Sequence, residues 1–198
     1  MILGKTMTNN VEIVNTMIKE IEQNLQNKCY LSALMLALII PDICSCAENG
    51  YTKETIGERK RRVGTEYKDW CRKYIINEAR DKYEISTSWC IDKKLLQFNE
   101  DVIYSLRNKL LHNGNPNTDR KIFEDSGCNY ENMNINLIFK DDEIYDEISS
   151  SIEGWGEPTN ATLNIPVGIL CFRIVIAAKT FIRENAEKFK FFDYQIIL

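Results

Sequence analysis

The length, composition and charge of the chain are those of an ordinary globular protein. It has 198 residues, of which 44% are hydrophobic and 27% charged, enough to build one substantial domain. We therefore expect a single domain over residues 1–198. The net charge of −4 and the isoelectric point near 5.2 argue against binding nucleic acid through general positive charge, which requires accumulated lysine and arginine.

The cysteines indicate a reducing compartment. There are seven, an odd number without paired spacing, and Cys29, Cys90 and Cys171 lie within apolar stretches, so we expect reduced, mostly buried thiols and a cytoplasmic location. Cys44 and Cys46 form a C-x-C pair, but a single histidine in the chain leaves no ligand set of zinc-site spacing. No metal and no cofactor are predicted.

Two apolar runs are candidates for membrane spans, and neither fits. Residues 31–40 are too few and end at Pro41, and residues 165–178 contain Arg173. The first ten residues lack an apolar stretch of signal-peptide length. The sequence thus predicts no membrane association and no secretion.

Apolar periodicity predicts two helices in the first quarter of the chain. Residues 8–26 carry one apolar stripe at helical spacing, with Thr8 or Asn9 as the N-cap. Residues 29–48 are apolar on nearly all sides, which predicts a central helix, and Pro41 predicts a kink or local break within it.

The next part of the chain is polar and then aromatic. The basic cluster Arg59, Lys60, Arg61 and Arg62 follows Gly50 and Gly57, which indicates a loop or a short exposed helix. A third helix is predicted over residues 65–77. Its aromatic stripe is more typical of a core than of a base-stacking platform; its apolar members are Tyr67, Trp70, Cys71, Tyr74 and Ile75.

A fourth helix, a small β element and a closing helix complete the predicted fold. Residues 99–113 form the helix, with Asn99 as its cap and Gly114 and Pro116 as its stop. Short alternating runs within residues 118–165 predict a small antiparallel β insertion, and residues 166–188 predict the last helix. The fold class is therefore mainly α: a bundle of about five helices, with residues 8–114 as its first part and a β insertion before the last helix.

The fourth helix contains the only histidine of the chain. His112 lies in its last turn, where the helix macrodipole favours an imidazolium, and histidine exchanges protons near neutral pH. Arg107, five residues earlier, offers a planar set of donors suited to a phosphate, and Asn108 adds a neutral donor and acceptor. If Asp42 is buried in the second helix it needs a partner, and Arg107 is a reasonable one.

The run Arg107-Asn108-Lys109-Leu110-Leu111-His112 resembles the R-x(4–6)-H motif of the HEPN superfamily (higher eukaryote and prokaryote nucleotide-binding domains), including the polar residue after the arginine. The wider resemblance, from "LALIIPDIC" to "RNKLLHNG" and over roughly residues 11–185, is to bacterial HEPN-like proteins with a β insertion and a closing helix. It implies a HEPN-like helical bundle.

The resemblance also implies a function. HEPN ribonucleases cleave RNA without metal at a dimer interface, where the histidine assists attack of the ribose 2′-hydroxyl and the arginine stabilises the phosphate. Some members are toxins or antiviral effectors, and others have lost catalysis and only bind nucleotides or partners. The implied partners are RNA, a second copy of the chain and an antitoxin or regulatory protein; the candidate RNA-contacting residues are Arg59, Lys60, Arg61, Arg62, Arg72 and Lys73.

Each of these features also has a purely structural interpretation. The basic cluster is often only a solvated face. His112 could be a favourable helix cap, and Arg107 could pair with Glu100 or another acidic group for structural reasons alone. Asp42 would then either orient the arginine or complete a structural salt bridge. A zinc-dependent hydrolase is improbable because histidine ligands are missing.

Overall fold

A computed structural model describes residues 6–7, 10–51, 62–77, 98–113, 132–139, 148–153, 160–189 and 196–197. This part of the chain is mostly helical. A π-helical turn, Arg72–Asn77, continues α4, and a 3-10 turn, Ala186–Lys188, follows α6. The helices are α1 Asn10–Gln26, α2 Tyr30–Ala37, α3 Ile40–Glu48, α4 Val63–Cys71, α5 Glu100–Asn113 and α6 Val167–Asn185.

The second helical segment is broken where the sequence predicted a kink. Helix α2 ends at Ala37 and α3 begins at Ile40, so Pro41 occupies the first turn of α3, where its missing N–H is not needed. The Asp42 amide consequently bonds the carbonyl of Ile39 rather than that of Leu38. With α2 and α3 counted as two halves of one bent segment, the described residues form the expected five-helix arrangement.

The break leaves the carbonyl of Leu38 without its usual helical donor. The hydroxyl of Tyr67, on α4, donates to this carbonyl at 3.0 Å, and both residues are fully buried. Because a buried carbonyl without a donor is costly, this bond makes the bend compatible with a central position in the core.

One hydrophobic core joins the helices to the sheet. The predicted aromatic stripe is part of it: Tyr67, Trp70, Cys71 and Ile75 are buried, and Tyr74 is half-buried against them. Phe181 of α6 packs edge-on against Trp70, with ring centroids 5.9 Å apart. The interpretation of the stripe as core is confirmed.

The small sheet lies before the last helix, as predicted, but it is mixed rather than antiparallel. Its strands are β2 Asn132–Ile138, β3 Ser149–Glu153 and β4 Asn160–Pro166, in the order β2-β4-β3. Strand β2 pairs parallel to β4, and only β3 runs antiparallel to it. The expectation of an antiparallel element was wrong because alternation reports which face of a strand is buried, not the direction of its neighbour.

Two further β elements were not predicted. They are strand β3 and a two-residue ribbon that pairs β1 Thr6–Met7 with β5 Ile196–Ile197. The predicted N-cap residues of α1, the predicted stop after α5 and residues 118–131 of the predicted β insertion lie outside the described residues. The C-terminal end of α1 is described. Lys28 adopts a φ of 59°, and the amide of Cys29 donates to the carbonyl of Asn24, as in helices that end at a left-handed residue, most often glycine.

One described helical segment, Tyr30–Glu48, is long and apolar enough to cross a membrane by length and composition. A core helix of a globular protein meets the same criteria, and 56% of this segment's most apolar window is buried inside the protein. It also contains Pro41 and the carboxylate of Asp42. The cytoplasmic location therefore stays a prediction.

Candidate functional site

Helix α5 carries the candidate motif, and the sequence explains how it is held. The Asn99 side chain accepts hydrogen bonds from the amides of Asp101 and Val102 at 3.0 and 3.1 Å, which confirms the predicted cap. The apolar face of α5 is buried in the core, so Arg107 lies at the edge of that face and His112 on the side turned away from it. The buried residues are Val102, Ile103, Leu106 and Leu110.

The guanidinium of Arg107 is paired with Asp42 of α3. Nε and Nη2 both donate to Oδ2 of Asp42, at 3.0 and 2.8 Å, and Nη1 donates to Oδ1 of Asn108 at 2.8 Å. The side chains are 19% and 14% exposed. The structure thus contains the pair that a buried Asp42 was expected to need. Glu100, the other acidic candidate, bonds Arg72 instead.

This geometry fixes the arginine without using all of its donors. An arginine carries five N–H groups, and three of them are used in the bonds to Asp42 and Asn108. One N–H on Nη1 and one on Nη2 are not bonded to any other residue that the structure describes. The arrangement can therefore hold the guanidinium in place and still present two donors to an oxyanion.

Tyr67 lies near the pair on its buried side, and Tyr104 packs against Tyr67. Burial raises the pKa of the Tyr67 hydroxyl well above its usual value; the charges of Cys71 and Asp42 raise it further, while Arg107 lowers it. The rings of Tyr67 and Tyr104 lie 5.4 Å apart. Gly64 leaves room for Tyr104, since a Cβ at that position would lie 2.8 Å from its hydroxyl oxygen. Tyr67 and Tyr104 were not predicted as neighbours of the site.

His112 occupies the other end of the motif and is exposed in the last turn of α5. Five helical residues place it about 7.5 Å along the axis and roughly 140° around from Arg107. The imidazole is thus open to solvent, while the guanidinium is mostly covered. A proton acceptor in this position can meet a ligand only on the outer surface of α5.

Two of the candidate RNA-contacting residues are in ion pairs. Arg72 bonds Glu100 at 2.7 Å and Asp69 at 2.9 Å, and Lys73 bonds Glu48. Hydrogen bonding to these carboxylates raises the pKa of both cations. Glu100 begins α5, about 18 Å along the axis from its last turn, so the structure places Arg72 at the far end of the helix from the histidine.

The basic cluster before α4 is only partly described. Arg62 is exposed at the N-cap of α4, and its amide donates to Glu66 at 3.3 Å. Arg59, Lys60 and Arg61 lie outside the described residues. A contribution of this cluster to RNA binding stays a prediction.

The described cysteines are free thiols, four of them buried. Cys44, Cys46, Cys71 and Cys171 are buried, as expected of most of the cysteines, whereas Cys29 is exposed at the start of α2. Burial raises the pKa of Cys171 to about 12. Within the described ranges, no group of three or more His, Cys, Asp or Glu residues could hold a metal ion.

No protein-family model, no curated protein and no solved structure matches the chain. The resemblance to HEPN domains therefore stays a prediction, supported by the motif and by the position of the motif on α5.

Proposed function

We propose that the protein is a metal-independent endoribonuclease of HEPN type, acting as a toxin or an antiviral defence effector. The observation that carries this proposal is the contrast along α5: His112 is exposed, and Arg107 is fixed by Asp42 and Asn108 with two N–H donors that no other described residue accepts. An accessible base and a fixed cation are the two groups that cleavage of RNA at its own ribose requires.

The proposed reaction begins with proton transfer to the histidine. Neutral His112 accepts the proton of a ribose 2′-hydroxyl as the 2′-oxygen attacks the adjacent phosphorus. The bond from phosphorus to the 5′-oxygen breaks, and that oxygen leaves with a proton from solvent or from the imidazolium. The products are a cyclic 2′,3′-phosphate and a free 5′-hydroxyl, and no metal or cofactor takes part.

Arg107 stabilises the charge that develops on the phosphate oxygens during this step. Its side chain must be fixed before RNA binds, because a mobile cation would have to be ordered at the expense of the transition state. Asp42 and Asn108 supply this order through three hydrogen bonds. We assign Asp42 as a positioning residue and Asn108 as a neutral neighbour that can also contact RNA.

A homodimer would bring two such sites into one cleft. Arg107 and His112 point about 140° apart on their own helix, so a phosphate between them is easier to reach when two copies of α5 face each other across a two-fold axis. The same proposal includes this composite site, RNA as the substrate and an antitoxin or other regulatory protein as a partner. It also includes a cytoplasmic location.

A second function is favoured by the same ion pair. Arg107 already has an acidic partner and is mostly buried, which suits a purely structural residue. In that case the chain is a catalytically inactive HEPN-like module that binds nucleotides or RNA, or that dimerises. The two proposals differ in whether the exposed histidine does chemistry.

The test is RNA cleavage in excess EDTA by the purified full chain. Wild type is compared with Arg107→Ala, His112→Ala and Lys179→Ala, the last a control that removes only the exposed pair between α6 and Glu22. We expect cleavage with cyclic phosphate ends by wild type and by the control, and loss of cleavage in the other two. Equal background in all four preparations would leave the inactive module as the remaining function.

A further inference from the structure

The hydroxyl of Tyr104 differs from those of three other tyrosines in the described part of the chain. Tyr51, Tyr67 and Tyr74 each donate a hydroxyl hydrogen bond to a carboxylate or a carbonyl of the protein. Tyr104 is half-buried on α5 and packs against the core, but no described residue accepts a hydrogen bond from its hydroxyl. A largely covered tyrosine hydroxyl usually has a partner. This one is left to bond water or a ligand.

Gly64 makes the space in which the hydroxyl of Tyr104 lies. A Cβ at position 64 would be 2.8 Å from the hydroxyl oxygen and 3.1 Å from the ring carbon that carries it. The backbone does not require a glycine there, since Gly64 lies in the first turn of α4 and its φ is not positive. Glycine is a poor helix former, and a residue that goes against local preference is expected where function requires it.

Tyr104 also lies on the side of α5 that separates the two motif residues. At about 100° per residue, its side chain points between those of Arg107 and His112, about 60° from the first and about 80° from the second. Asn108 lies in the same interval, about 40° from Tyr104. A ligand that contacts both Arg107 and His112 therefore passes over the side of the helix that carries Tyr104.

Helix α4 lies along only the first half of α5. Successive ion pairs join later residues of α4 to earlier residues of α5, and Gly64 lies beside Tyr104. Because α4 begins at Val63, it does not extend along the second half of α5, which carries Arg107 and His112. The hydroxyl of Tyr104 thus lies at the boundary between the part of α5 that α4 covers and the part that carries the motif.

We propose that the hydroxyl of Tyr104 is a further RNA-binding group of the candidate site, which donates to a phosphate oxygen next to the phosphate held by Arg107. The inference rests on the proposed function in that RNA is the ligand. A hydroxyl donates a short, strong hydrogen bond to an anionic oxygen. Tyr104 lies about 4.5 Å before Arg107 along the helix axis, so the two side chains can contact consecutive parts of one RNA strand. Gly64 is a positioning residue that acts through Tyr104.

The test measures RNA binding rather than cleavage. A fluorescently labelled single-stranded RNA of mixed sequence is titrated with the full chain carrying His112→Gln, which lacks the proposed base, and binding is followed by anisotropy. We expect Tyr104→Phe in this background to weaken binding about tenfold, because one hydrogen bond to a charged group is lost. Tyr74→Phe is the matched control: it removes a half-buried hydroxyl that donates to Glu48 and should leave the affinity unchanged. Unfolding curves confirm that each variant is folded.

Gly64→Ala tests the position of the hydroxyl. The added Cβ displaces the phenol oxygen, so we expect weaker binding of RNA when Tyr104 is present and no further loss when Gly64→Ala is combined with Tyr104→Phe. A glycine with a merely structural role would give the same loss in both backgrounds.

The inference is overturned if Tyr104→Phe binds RNA as well as its His112→Gln parent, if Tyr74→Phe causes an equal loss, or if the parent does not bind RNA. Absence of cleavage by wild type contradicts the ribonuclease alone, because weaker binding by Tyr104→Phe would still support an RNA contact in a catalytically inactive module.

Discussion

The middle and the end of α5 differ in how much the rest of the protein depends on them. At the middle, Arg107 joins α5 to α3 through Asp42, beside a buried tyrosine and a broken helix. At the end, His112 is exposed. The two residues belong to one motif, but a change at the first alters both folding and chemistry, whereas a change at the second should alter chemistry alone. Experiments on the motif have to separate these effects.

The largest expected effect is on the ion pair. Asp42→Ala leaves the guanidinium of Arg107 mostly covered and without its carboxylate, so we expect the free energy of unfolding to fall by about 2–3 kcal/mol, less than for a fully buried pair because both side chains are partly exposed. Urea unfolding measures it.

The control for this prediction is the double variant Asp42→Leu, Arg107→Leu, measured beside the single variants Asp42→Leu and Arg107→Leu. Replacing both charges by apolar side chains should recover much of the stability lost in the single variants. If the double variant loses the sum of the two single losses, the residues do not interact, and the description of the middle of α5 is wrong.

The bond that accommodates the helix break gives the next effect. Tyr67→Phe removes the hydroxyl that donates to the Leu38 carbonyl, and leaving that carbonyl without a donor should cost about 1–2 kcal/mol. Tyr104→Phe is the matched control, since Tyr104 contacts the same ring and leaves the Leu38 bond in place. Equal losses in the two variants, read from thermal unfolding, would show that the bond does not stabilise the bend.

The buried thiol beside the pair predicts a pH dependence. Burial, followed by the charge of Asp42, raises the pKa of Cys71 well above its usual 9.0. The stability that this raised pKa contributes is complete below pH 9 and is lost as the pH rises further, because the unfolded thiol then gives up a proton that the folded one keeps. We expect wild type to lose about 1 kcal/mol more than Cys71→Ala between pH 8 and pH 10.

The measurement is urea unfolding of both proteins at the two pH values. Parallel losses in wild type and Cys71→Ala would mean that Cys71 titrates normally in the folded protein, and would contradict the burial of the end of α4. Only the difference between the two proteins is diagnostic, since Cys44 and Tyr67 are affected in the same direction in both.

The smallest expected effect on stability is at the histidine. His112→Gln removes the titrating ring from an exposed position, and we expect a change within about 0.5 kcal/mol, as is usual for surface substitutions. A loss comparable to that of Asp42→Ala would place the imidazole in a structural role and remove the contrast between the two ends of the motif.

Much of the helical fold could be predicted from the sequence because it follows from apolar spacing. The break at Pro41 and the cap at Asn99 depend on one residue each, and both were found where predicted. The pairing of Arg107 with Asp42 followed from the need of a covered carboxylate for a partner. The choice of Asp42 over Glu100 could not be read from the pattern, since both were acidic residues within reach of an arginine.

The features that could not be predicted are those that depend on contacts between residues far apart in the sequence. Strand β3, with three consecutive serines, has little apolar alternation and exists because β4 is there to pair with it. The parallel direction of β2 has no signature in a short strand. The bond from Tyr67 to Leu38 joins residues 29 apart, and no local signal distinguishes this tyrosine from its aromatic neighbours.

The most direct test of the central claim is the cleavage of RNA in EDTA by wild type and by His112→Gln at equal concentration, with folding of both confirmed by their unfolding curves. We predict cyclic 2′,3′-phosphate products from wild type, and their loss in a variant whose stability is unchanged. Cleavage of equal rate by the two proteins, or none by either, would contradict the assignment of the exposed histidine as the base of a ribonuclease.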